Sequence, residues 1–259
     1  MPLTDLLLKG ADMSQGLRVL DVACGAGNPT LEEARRVGPR GTVVGIDTSE
    51  EVLSLGREYA AKEALSNVEF RAADAGDLPF DDETFDRVTS RMGAMYFPDL
   101  SRALAESHRV LRSGGRLAWL VWGPFDQPYF QATVQVAMRH ARISEIPPEA
   151  AQPFRFSAGG LLERAMKDAG FEQVKETRHE VVWSWPGPPE EVCEFSLEAP
   201  PFRGILTRLD DGSREEAKAE TTERLRRLYA DGCVRVPQIV ILATGVRRLA
   251  RSRGRAPQG

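Results

Sequence analysis

Between Leu17 and Trp122, short apolar, β-branched runs alternate with stretches of helical spacing. Leu17–Val22, Thr42–Asp47, Val68–Ala72, Phe85–Ser90 and Arg116–Trp122 read as strands, and Pro29–Val37, Glu50–Ala64 and Pro98–Leu111 as helices. Strands joined through a helix run parallel, and such a sheet must be covered on both faces. The alternation therefore predicts an α/β fold with a doubly wound, mostly parallel sheet. Val52, Leu55, Tyr59 and Leu65 are expected to be the buried residues of the second helix. Leu100, Leu104, His108 and Leu111 share one face of the third, which Ser113-Gly114-Gly115 breaks.

After Gly123 the pattern changes. A weak helix is expected around Tyr129–Ile143, a clear one at Leu161–Ala169 with Gly170 as its stop, and another at Ser213–Tyr229. Val174–Trp185 and Val236–Val246 add two strands, making seven. The chain of 259 residues is expected to be one domain, with a core over 17–123 and lid insertions over about 124–160 and 187–231. A net charge of −4 speaks against a nucleic-acid partner. The exception is the arginine-rich end, 247–255, expected to be a solvated terminus. Cys24, Cys193 and Cys233 are scattered, which fits neither a disulfide framework nor a metal site. Reduced thiols and a cytoplasmic location are expected. No apolar run is long enough for a membrane span, so no membrane partner is expected.

The chemistry is expected at the ends of the strands. Asp21-Val22-Ala23-Cys24-Gly25-Ala26-Gly27 follows the first strand directly. Glycines allow a sharp turn and close approach of a ligand. Asn28 suits a helix N-cap and Pro29 the first helical position, with the helix amides facing the ligand. The alternative is a tight turn with no ligand. Asp47 closes the second strand, where an acid can accept from both ribose hydroxyls. Its alternative role is to cap the next helix, which Thr48 and Ser49 could do equally well. Asp74 follows the third strand and could accept from an adenine amine; alone, it reads better as a solvated loop residue. Together these strand ends form the crevice where open α/β sheets bind ligands.

A nicotinamide dinucleotide would be expected on Gly-x-Gly-x-x-Gly, but Thr30 stands where the third glycine belongs. S-adenosylmethionine has no pyrophosphate but carries an ammonium and a sulfonium, which suit the acid Asp21. The stretches Val19–Gly27, Val44–Asp47, Ala73–Phe80, Phe85–Val88 and His108–Leu117 stand in order. With these motifs, residues 17–122 resemble a class I S-adenosylmethionine-dependent methyltransferase of the ubiquinone/menaquinone type. The resemblance implies a seven-stranded sheet with an antiparallel last strand. It places Asp21, Ala23, Gly25 and Gly27 around the methionine end, Asp47 and Thr48 at the ribose, and Asp74 and Ala75 at the adenine. It places Arg91 and Met92 near the methyl group. Ala23 stands where the family commonly has glycine. Only about sixteen residues precede the first strand, fewer than relatives carry, so either the cofactor is left more open or the chain start is misplaced.

Methyl transfer to an O, N or C atom of a small-molecule acceptor is the expected activity, with S-adenosylhomocysteine as product. A regulatory protein that binds the cofactor without transfer is the competing reading, favoured by the lack of an obvious base. His108 and His179 read as structural. His140 and Tyr96 are the weak catalytic candidates. Tyr96, Phe97, Phe125, Tyr129, Phe130, Trp183 and Trp185 could wall an apolar acceptor pocket or simply pack the lid. The charged helices within 187–231 are expected to be lid or a homodimer surface.

Overall fold

A computed structural model describes residues 2–248. An N-terminal helix, α1 (Pro2–Gly10), precedes β1 (Arg18–Val22). Then follow α2 (Thr30–Val37), β2 (Thr42–Asp47), α3 (Glu50–Lys62), β3 (Val68–Ala72) and β4 (Phe85–Arg91). A 3-10 turn at Ala94–Tyr96 leads to α4 (Leu100–Val110) and β5 (Leu111–Trp122). The second half holds α5 (Pro128–Ala132), α6 (Val134–His140), α7 (Pro148–Ala151), α8 (Leu161–Asp168) and β6 (Phe171–Pro186). It ends with α9 (Pro189–Glu198), α10 (Pro200–Leu206), α11 (Asp211–Arg226), β7 (Tyr229–Ala230) and β8 (Cys233–Arg247).

The sheet runs β3-β2-β1-β4-β5-β8-β6, with β7 paired to β8. β1 to β5 are mutually parallel, and β8 is antiparallel to both β5 and β6. The direction of winding reverses between β1 and β4, which opens a crevice at their carboxyl ends. The eighth strand, absent from the seven predicted, is the two-residue β7, a hairpin partner of β8 across Asp231-Gly232. Leu20, Val88, Leu117 and the fully buried Trp119 fill the core under the sheet.

The segments beyond β5 have a second core of their own. Tyr129, Phe130, Val192, Leu197, Leu225 and Val236 pack together, uniting both predicted insertions. β6 and β8 carry it: their ladder runs from Phe171–Arg247 to Pro186–Cys233, well past Trp122, the end of β5. Pro237 lies in this overhang opposite Val182, beyond the last pair with β5, so its missing N–H breaks no bond there. The weak helix at Tyr129–Ile143 is two helices, broken at Thr133.

One local expectation is corrected. α3 buries Leu53, Gly56 and Ala60, while Leu55 and Tyr59 are exposed and Val52 and Leu65 only half-buried. A Cβ on Gly56 would lie 2.8 Å from the Phe70 ring, so glycine lets the helix sit on that ring and turns the contact face by one residue. Ahead of β1, Leu3 and Leu7 of α1 pack on Ala118, Leu120 and Leu242 of the sheet. Among the described residues, no helix is long and apolar enough to cross a membrane, and no group of His, Cys, Asp or Glu could hold a metal ion.

Candidate active site

The loop after β1 takes its shape from left-handed backbone at Ala23 (φ +57°), Gly25 (+55°) and Gly27 (+96°). A Cβ on Gly25 would meet nothing within 4 Å, so glycine there serves the turn and leaves the loop's face open. Ala23 adopts the same conformation with a side chain, at a cost of about 1–2 kcal/mol. Space for its methyl comes from Gly93, where a Cβ would lie 2.5 Å from that of Ala23 and 2.7 Å from Ser90 Oγ.

The amides at the start of α2 do not face the crevice, contrary to expectation. Leu31 N–H donates to Gly27 O, and the Glu32 and Glu33 N–H groups donate to Pro29 O. The helix begins at Thr30, one residue later than predicted, and Asn28 is not its cap. Asn28 is engaged elsewhere: its carbonyl accepts from Arg91 at 2.8 Å and its side-chain oxygen from Thr4 Oγ1 at 3.3 Å.

Asp47 ties the loop to the end of β2. Its Oδ2 accepts from Gly25 N–H at 3.0 Å and its Oδ1 from Ser49 N–H at 3.1 Å. Ser49, not Asp47, caps α3 through its hydroxyl, which accepts from Val52 N–H. Asp74 is exposed and closes a tight turn by accepting from Gly76 N–H at 2.6 Å. Asp47 and Asp74 border a cavity of about 570 Å³ with Ala23, Thr48, Ala75, Asp77, Tyr96, Phe97, Asp99 and Arg102. Carboxylates outnumber the single guanidinium on its wall, a field that favours a cationic ligand.

A second cavity of about 740 Å³ borders the second core. Its wall is aromatic: Tyr96, Trp122, Tyr129, Phe130, Trp183, Trp185, Phe195 and Phe202, with Leu3 of α1, Arg91 and Met92. Met92 sits in left-handed backbone (φ +62°) at the end of β4, fixed by its N–H bond to Leu120 O at 2.7 Å. Tyr96 borders both cavities.

Of the predicted site residues, Ala23, Asp47, Thr48, Asp74 and Ala75 line the first cavity, and Arg91 and Met92 the second. Asp21, Gly25 and Gly27 line neither: the two glycines shape the turn, and Asp21 lies buried behind it. His140, the half-buried last residue of α6, borders neither cavity; its Nε2 pairs with Glu220 Oε2 at 3.0 Å. Glu220 also accepts from Arg139 and Arg224, and these bonds, led by that of Arg139, hold its carboxyl down at about 2. Phe97 belongs to the first cavity, and Phe125 packs in the lid core on Phe130 and Phe154.

Behind the loop, Asp21 is fully buried and accepts from Thr30 Oγ1 at 2.6 Å, while its Oδ1 has no partner. Burial pushes its carboxyl up to about 7, against the opposing pull of the Thr30 hydroxyl and the Arg91 charge. Glu33, equally buried, accepts from Thr89 Oγ1 at 2.7 Å; burial first and Asp21 second raise it well above the carboxylate range. Burial lowers Arg91, whereas Asp21 and Glu33 stabilise its charge. Glu33 was missed from sequence, although Thr30, Glu33, Ala34 and Val37 mark the buried face of α2 by spacing. Phe195 and Phe202 were missed too; they stand seven residues apart within charged sequence.

Residues 13–123 match the family model of a methyltransferase domain. The chain is similar to nocamycin O-methyltransferase of Saccharothrix syringae, 34% identical over 209 residues, covering 71% of this chain and 73% of that protein. It is 33% identical to demethylmenaquinone methyltransferase of Listeria welshimeri over 180 residues, covering 64% and 75% respectively. In fold it resembles phosphoethanolamine N-methyltransferase 2 of Haemonchus contortus, solved with S-adenosylhomocysteine and phosphomonomethylethanolamine. That likeness has a TM-score of 0.59 and 18% identity, and covers 95% of this chain and 52% of the other. With the strand order, the glycine loop and the acids at the ends of β2 and β3 in place, the chain belongs to the class I S-adenosylmethionine-dependent methyltransferases.

Proposed function

We propose that the first cavity takes S-adenosylmethionine, the aromatic cavity takes an apolar small-molecule acceptor, and the methyl group passes beside Tyr96. The observation that carries this reading is that Tyr96 borders both cavities. The donor set fits the cofactor. Asp47 has lone pairs beyond its bonds to Gly25 and Ser49 for ribose hydroxyls, with Thr48 beside it. Asp74 and Ala75 would meet the adenine. Ala23, Gly25 and Gly27 would frame the methionine end, with Asp21 supporting the loop from behind. Bound there, the cofactor supplies a methyl group on a positively charged sulfur.

The chain's own part is alignment and exclusion of water, which can carry much of a displacement at carbon. None of His108, His140 and His179 borders either cavity. His108 packs its ring edge-to-face on Phe171, and His179 Nε2 bonds Thr177 Oγ1. The relatives are named for small molecules, nocamycin and demethylmenaquinone, and a wall of this size and apolarity suits such acceptors. The free thiols of Cys24, Cys193 and Cys233 support a cytoplasmic location.

Calorimetric titration with S-adenosylhomocysteine should show one site, and labelled S-adenosylmethionine should label aromatic acceptors in preference to polar amines. Absence of binding heat, or cofactor binding with no transfer across a broad panel of apolar acceptors, would overturn the proposal.

A further inference from the structure

The aromatic cavity holds one half-buried fixed charge held by neutral partners. The Arg91 guanidinium reaches its wall from the end of β4. Glu191, the other charged residue there, is exposed on the first turn of α9 and bathed by solvent. Arg91 is not consumed by an ion pair. Its Nη1 donates to Thr4 Oγ1 at 3.1 Å and its Nη2 to Asn28 O at 2.8 Å, both neutral acceptors. A guanidinium carries five N–H donors, so those two bonds orient the group without exhausting it. Thr4 belongs to α1 and Asn28 to the loop after β1, so two separate elements fix its direction. The compensating carboxyls, Asp21 and Glu33, lie behind it on β1 and α2. Burial pushes both toward their protonated forms, which leaves the cation only partly neutralised.

We infer that Arg91 makes the aromatic cavity selective for an acceptor that binds as an oxyanion: a flat apolar molecule bearing a carboxylate or an acidic hydroxyl. The inference rests on taking the aromatic cavity as the acceptor site. It also accounts for a site without a histidine base. An oxygen that arrives deprotonated already carries the electron pair for the new O–CH3 bond. As that bond forms, the S–CH3 bond breaks and its pair goes to sulfur, neutralising the sulfonium, so no proton needs to move. Among cationic side chains, guanidinium matches a carboxylate with two parallel N–H bonds. Arg91 is thus a specificity residue, and its aromatic neighbours strengthen it by excluding water.

The test is binding of 2-naphthoate against 2-naphthamide, equal in size and differing in charge. Quenching of Trp122, Trp183 and Trp185 reports it, since all three border the cavity. Saturating S-adenosylhomocysteine keeps the sulfonium charge out of the comparison. The wild-type protein should bind naphthoate at least about tenfold more tightly than naphthamide, and R91M should abolish that preference while still binding S-adenosylhomocysteine. R91K should keep part of it. Equal affinities in the wild type, binding of neither probe, or a preference that survives R91M would overturn the inference. The wild-type comparison stands even if R91M does not fold. Failure of S-adenosylhomocysteine itself to bind would instead strike the cofactor assignment.

Discussion

Asp47 accepts from the backbone N–H of Gly25 at 3.0 Å, so the ribose candidate on β2 also holds the glycine loop on β1 in place. Truncation therefore removes two things at once. Asp47→Ala should weaken S-adenosylhomocysteine binding by well over about tenfold, combining a lost ligand acceptor with a loop whose amide is left unpaired. Asp47→Asn keeps an acceptor for Gly25 and should recover part of the thermal stability but less of the affinity. Calorimetry on both variants checks this; unchanged affinity in Asp47→Ala would remove the residue from the site.

Ala23 and Gly93 form a complementary pair across the loop. A methyl on Gly93 would lie 2.5 Å from the Ala23 Cβ, so Gly93→Ala should destabilise the fold by about 1–3 kcal/mol through overpacking. Ala23→Gly relieves left-handed strain, offset partly by the greater unfolded-state freedom of glycine, and should stabilise by about 0.5–1 kcal/mol. The double variant should recover part of the Gly93→Ala loss, because the Cβ–Cβ conflict is gone while the 2.7 Å approach to Ser90 Oγ remains. Urea unfolding of all four proteins decides it: additive effects would mean the two sites do not share the contact.

His140 of α6 bonds Glu220 of α11 in a half-buried contact, and His140 borders neither cavity. His140→Ala should leave the turnover rate within about twofold of wild type and lower stability by about 1 kcal/mol, the net value of one hydrogen bond. A general base would cost about a hundredfold or more. Initial rates at saturating cofactor separate the two outcomes.

The difference between His140 and Asp47 shows what sequence can carry. Asp47, Thr48, Asp74 and Ala75 sit at the ends of alternating strands, and topology alone brings those ends to one crevice. Their placement needs no knowledge of side-chain packing. The lid is different. Whether His140 faces the cavity or Glu220 depends on how α6 and α11 rotate against each other, and their sequences do not reveal a partner. The same holds for α3, where Gly56 against Phe70 turns the buried face away from Leu55 and Tyr59. Asp21 stands in the glycine motif yet lies behind it, because its carboxylate turns to Thr30. Spacing shows that an acid is present, not which way it points.

The buried carboxyl of Asp21 links stability to pH. Its folded value of about 7 exceeds the ordinary 3.8, so the folded state holds a proton that the unfolded chain has released. Stability rises with pH only where the unfolded state binds more protons, and here the opposite applies. The contribution of Asp21 is therefore fully present below about pH 4 and declines as pH rises toward 7. Glu33 is displaced in the same direction and adds to the slope. Asp21→Asn keeps an oxygen for Thr30 and should shrink the difference in unfolding free energy between pH 5 and pH 7.5. Urea titrations at the two values check this, and an unchanged difference would contradict the buried-proton account.

Tyr96 tests the boundary between the cavities. Burial raises its phenol above the usual range, so at neutral pH it keeps its proton and acts as wall and donor, not as base. Tyr96→Phe preserves the ring and should lower kcat/KM by less than about tenfold, the value of one hydrogen bond. Tyr96→Ala joins the two cavities and admits water, so it should weaken both S-adenosylhomocysteine and 2-naphthoate binding and lower kcat further than the Phe variant does. A loss on Tyr96→Phe of about a hundredfold or more, with a shifted pH–rate profile, would instead make the phenol a proton acceptor. Loss of only one of the two binding events in Tyr96→Ala would mean that the methyl group does not cross beside this residue.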